Sequence, residues 1–143
     1  MGGGIRHMAG MVLATLIAVA TATAATGAPL PPLREDPHVW NSLFAAAVGD
    51  EIRRNCPTIS ARLFRAIRAM GALESYARDQ GYSDAQIEAF LDSDEERALM
   101  RRARDAYLDK HGVRSGDAES YCRLGREEIA RNTLTGSLLR ESK

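Results

Sequence analysis

Cys56 and Cys122, 66 positions apart, are the only cysteines in the chain. Joined to each other, they would bring two remote segments within about 7 Å at Cα, which removes most possible folds. Whether they meet an oxidant depends on compartment, and the N-terminus bears on that. Residues 1–8 carry one cation, Arg6, and no acid; the apolar run MVLATLIAVA fills 11–20, and TATAATGA follows to Ala28. A basic start, a short apolar centre and a small-residue end are the parts of a secretory signal peptide. Ala22-Thr23-Ala24 and Thr26-Gly27-Ala28 both offer small cleavage residues, the second less favourably because Pro29 follows. The expectation is a signal peptide over 1–28, cleaved between 24 and 28, and a periplasmic or secreted protein. A retained anchor is the alternative, but a spanning helix needs about 20 apolar residues. The strongly apolar stretch stops at Ala20 and no second one follows, so no transmembrane segment is expected after cleavage.

In an oxidising compartment the pair reads as a structural disulfide. Closing a loop of that size stabilises by about 4 kcal/mol in the chain-entropy model. Reduced or intermolecular thiols are the alternative. A redox centre would call for the short C-x-x-C spacing that lowers a thiol pKa at one exposed site, and this chain lacks it.

The remaining residues carry helical periodicity. PLPPLRE, 29–35, holds three prolines and is expected to form an extended arm over 29–36. Asp36-Pro37 supplies an N-cap and a first-turn proline. Val39, Trp40, Leu43, Phe44, Ala47, Val48 and Ile52 then recur at three- and four-residue steps on one face. Pro57 disfavours helix at Cys56. A second helix is expected from Thr58 or Ser60, with Ile59, Leu63, Ile67, Met70, Leu73 and Ala77 as its core-facing stripe and Gly81 as its stop. Ser83 with Gln86 and Ser93 with Glu96 have capping-box spacing and open a third and a fourth helix. Asp117 can cap a fifth, with a break or bend near Asn132-Thr133. Alternating strand patterns are missing after the signal. The fold expected is all-α: one compact domain over 37–143, with four to five helices clasped by the Cys56–Cys122 bond.

Removal of the signal leaves roughly 120 residues, enough for one domain. Arg6 is its only charge, so the remainder has net charge −1. Nucleic-acid binding proteins are usually basic, and no nucleic-acid partner is expected. Haem-attachment, H-E-x-x-H, G-x-S-x-G and phosphate-loop motifs are absent from the sequence. His38 and His111 lack a partner at metal-ligand spacing, and His111 suits a helix C-terminus by charge alone. The acidic run Asp92–Glu96 lacks the loop glycine and distant glutamate of a calcium loop and reads as helix capping. Arg62, Arg65 and Arg68 lie off the stripe as a solvated face or a basic patch. Trp40 and Phe44 read first as core, then as a partner surface. Glu127 or Glu128 with neighbouring arginines would be the carboxylates of an enzyme, but they fit a solvated face equally well.

PPLRE (31–35), DEIRRNCPTISARL (50–63), GYSDAQIEAFLDS (81–93) and ESYCRLGREEIAR (119–131) occur in order and contain both cysteines. Together they resemble a family of small exported proteobacterial proteins classed as a domain of unknown function. The resemblance spans roughly residues 31–140 and implies a periplasmic helical domain with one cysteine pair; it carries over no catalytic residue. The sequence thus leads to an expectation of a non-catalytic interaction or accessory protein whose partner is another protein. The alternative is a small-ligand-binding module, and an enzyme ranks third. No cofactor, metal ligand or catalytic residue is assigned.

Overall fold

The computed structural model describes residues 28–142. The signal and its cleavage positions therefore lie almost wholly outside the described residues. Among these residues five longer helices follow in order: α1 (Pro37–Asn55), α2 (Leu63–Asp79), α3 (Asp84–Asp92), α4 (Asp94–Lys110) and α5 (Ala118–Ala130). A one-turn α6 (Leu134–Ser137) comes last, and two three-residue strands, β1 (Ile59–Ala61) and β2 (Leu139–Glu141), pair antiparallel.

The helix starts follow the capping chemistry of the sequence. Asp36 accepts from the N–H groups of His38 and Val39 at 2.8 and 3.1 Å. Ser83 and Gln86 form the complete reciprocal box. Ser93 caps α4 through Glu96 N–H, but the Glu96 carboxylate turns to Arg34 instead of completing the box. Asp117 caps α5 through Ser120 N–H. Each such cap satisfies a backbone donor that has no partner within the helix.

α1 is the central element and packs against α4, α5 and α6. Val48, Ile52 and Cys56 from α1 and its cap meet Ile59, Leu108, Tyr121, Cys122, Leu124 and Leu139 in the larger core. A second cluster sits at the N-terminal end of α1, where Val39 packs with Leu33, Leu73, Ala77, Tyr82 and Ile87. Gly125 lets α5 approach α1 and β1 closely: a Cβ there would overlap Ile59 Cδ1 and come within 2.8 Å of Ile52 Cγ2. Gly136 does the same for α6, where a Cβ would overlap the Glu128 carbonyl oxygen.

Three expectations need correction. The arm is not extended throughout, because Leu33–Glu35 wind into a 3-10 turn that buries Leu33. The second helix begins at Leu63, later than expected. Pro57 and Thr58 form a turn, after which the β-branched Ile59 takes extended backbone, and Ile59, Ser60 and Ala61 pair with Glu141, Arg140 and Leu139. The stripe assigned to α2 faces the core only in its C-terminal half. Leu73 and Ala77 are buried, whereas Leu63 and Ile67 are 62% and 59% exposed. The expected break near Asn132-Thr133 is present: α5 ends at Ala130, Asn132 adopts φ 50°, and Leu134 and Leu139 belong to separate elements.

Candidate functional site

Cys56 caps the C-terminus of α1, and Cys122 lies in the second turn of α5. Their Sγ atoms are 2.06 Å apart and their Cα atoms 5.0 Å apart, within bonding geometry. Both are buried in the larger core. The pair therefore fastens the C-terminal end of the central helix to α5.

Of the two carboxylates considered for catalysis, only Glu128 is enclosed, at 1% exposure. Tyr107 Oη on α4 donates to Glu128 Oε1 at 2.5 Å, and the Thr133 hydroxyl donates to Oε2. Arg131 Nη2 stands 3.5 Å from Oε1. Burial first, then the hydrogen bond to the Glu128 carboxylate, pushes the Tyr107 phenol up to about 12. Phe44 meets the Tyr107 ring edge-on, and the His111 ring lies 4.3 Å from it between centroids. Both Glu128 oxygens are thus engaged by groups that hold them in place. Chemically this arrangement is suited to fixing α4, α5 and the start of α6 to one another. Glu127 pairs outward with Arg123 at 2.9 Å.

The other candidates are not brought to one place. His38, exposed at the start of α1, stacks edge-on against Tyr76. His111 is the C-cap of α4 and offers its backbone carbonyl to Arg123. In the acidic run, Asp94 pairs with Arg97 and Glu96 with Arg34. Among the described residues no group of three His, Cys, Asp or Glu side chains is arranged to hold a metal ion. Trp40 and Phe44 are half-buried.

What stands apart is the outer half of α2. Leu63, Phe64 and Ile67 are 62%, 80% and 59% exposed, and Ile67, four positions from Leu63 and three from Phe64, adjoins both on the helix surface. Beside them runs an open groove of about 330 Å³, lined by Ala46, Gly49, Ala61, Leu63, Ala66 and Leu139 among others. Arg62, Arg65 and Arg68 flank this face. Arg62 Nε donates to Leu139 O at 2.8 Å and Arg65 Nη1 to Ser137 O at 3.2 Å, so these two guanidinium groups rest on carbonyls, not carboxylates. The first acid of α2 is Glu74, and it pairs with Arg78. No side chain caps the N-terminus of α2, which leaves the positive end of its dipole in place. Sequence reasoning missed the apolar part of this face because it placed Leu63 and Ile67 in the core. The available signal was the adjacent pair Leu63-Phe64 set among Arg62, Arg65 and Arg68, with no acid for ten residues.

No curated protein and no solved structure matches the chain. A family model does match it, over residues 31–140, which includes both cysteines and all the elements above except the last residue of β2. The chain belongs to this family, which is described as a family of unknown function, DUF5333.

Proposed function

We propose that this is an exported, non-catalytic interaction or accessory protein that works by presenting a surface to another protein. The observation that carries the reading is the outer face of α2, where Leu63, Phe64 and Ile67 stand in solvent beside an apolar groove. Exposing three large apolar side chains together is unfavourable for an isolated domain and marks a contact surface. The N-terminal signal pattern and the oxidisable cysteine pair support action outside the cytoplasm. Small-ligand binding has weaker support: ligand pockets of roughly 300–1,000 Å³ bury most of the ligand's surface, whereas the groove of about 330 Å³ beside α2 is open to solvent and the gap among Leu33, Val39, Leu43, Leu73 and Ile87 is about 20 Å³. Cell fractionation followed by affinity purification from periplasm and native membranes, read by mass spectrometry, tests the reading. A non-cytoplasmic protein with a reproducible stoichiometric partner is expected. A cytoplasmic location, or no partner in either fraction, would overturn it.

A further inference from the structure

We infer that the outer half of α2 and its groove dock an acidic amphipathic helix of a partner protein. This rests on the reading of the chain as an interaction protein and adds the place of contact and the chemistry of the partner. Two independent features select that occupant. The first is shape. Ala46, Gly49, Ala61 and Ala66 line the groove with small side chains, the leucines Leu63 and Leu139 add larger ones, and Asp50 and Arg53, paired with each other, also line it. Such a surface accepts apolar side chains projecting at three- and four-residue spacing from a helix. The second is charge. Arg62 and Arg65 flank the groove side of α2 without a carboxylate partner among the described residues, while the arginines of α1, Arg53 and Arg54, are already paired with Asp50. Unpaired arginines at the rim of an apolar face steer and orient acids on the incoming chain. A bilayer would meet the same charge but has no element to fill a groove of this shape. A second copy docked α2 to α2 would set arginines against arginines.

Site-directed photo-crosslinking in the native cells tests the assignment, with p-benzoylphenylalanine at position 64 of the full chain. Phe64 is 80% exposed, so the replacement is compatible with folding, which circular dichroism checks. The same probe goes at Leu91, on a different exposed apolar site, and at Arg101, on the exposed side of α4. Mass spectrometry then identifies the crosslinked segment, and that segment is made as a synthetic peptide. The expected result is a crosslink from position 64 to a segment with apolar residues at helical spacing flanked by Asp or Glu. Its peptide should bind the purified protein with an affinity that falls as salt rises. Arg65→Glu should weaken binding about tenfold, and changing a peptide acid to Lys should restore binding to that variant. A crosslink from position 64 to lipid, to a second copy or to a segment without acids would overturn the assignment. Crosslinks from position 91 or 101 alone would also overturn it while leaving the interaction reading standing. No crosslink from any of the three positions would count against both.

Discussion

Glu128 on α5 and Phe64 on α2 reverse the usual order of polarity. The carboxylate is 1% exposed and the phenyl ring 80% exposed. The difference lies in what each neighbourhood supplies. Around Glu128, the Tyr107 and Thr133 hydroxyls occupy both oxygens, so a group that is costly to bury is fully hydrogen-bonded. Around Phe64 no element among the described residues covers the ring, and its apolar surface meets water. One region is closed by its own chain; the other is open to solvent. That contrast separates residues that hold the fold from residues free to serve a contact.

The strongest way to test the closed region is to cut its covalent tie. Replacing Cys56 and Cys122 together by Ser should lower the unfolding free energy by about 4 kcal/mol, read from urea denaturation. Intact-mass analysis after alkylation without reductant should find no free thiol; two alkylated cysteines in freshly isolated protein would remove the clasp from the account. Next in size, Glu128→Ala should cost about 3 kcal/mol, because it opens a cavity and leaves the Tyr107 hydroxyl without its partner. Glu128→Gln keeps the shape and most of the hydrogen bonding and should cost about 1 kcal/mol. Equal losses in the two variants would mean that packing, not the polar contacts, holds this junction.

A smaller effect appears in alkali. The folded protein raises the Tyr107 phenol from 10.0 to about 12, so the folded state keeps a proton that the unfolded state gives up. The contribution is fully present below pH 10 and is lost as the pH rises towards 12. Tyr107→Phe should flatten that part of the stability–pH curve. Some slope should persist, because burial also raises Tyr121, and the hydrogen bond to Asp36 raises Tyr76. An unchanged slope in Tyr107→Phe would show that the phenol is not held as described. The smallest effect belongs to the open region: Phe64→Ser should change stability by no more than about 0.5 kcal/mol, measured by the same denaturation. A loss of 2 kcal/mol or more would show that the ring is packed in solution and would break the contrast.

Local chemistry was the most legible part of the fold. Asp36, Ser83, Ser93 and Asp117 begin their helices because a short side-chain oxygen beside a free N–H needs no distant partner. Gly81, at φ 98°, follows α2 for a similarly local reason. Where the sequence misled, the deciding partner was remote. Ile59 reads as the start of a helical stripe, but a strand eighty residues further on recruits it into a ladder. Ile67 and Leu73 lie on the same apolar pattern, yet only Leu73 reaches the cluster formed by Val39, Tyr82 and Ile87. Glu127 and Glu128 are adjacent and chemically alike, and only the position of α4 decides that one meets Tyr107 while the other faces Arg123.

By itself the sequence determined the helical class, the caps that begin α1, α3, α4 and α5, and the identity of the two cysteines that meet, since each follows from neighbouring residues or from there being no other cysteine to choose. Tertiary structure decided which carboxylate is enclosed, which half of α2 reaches the core, and where the open apolar face lies. Burial depends on what the remainder of the chain places opposite a residue, and a periodic pattern records a face without recording whether anything covers it.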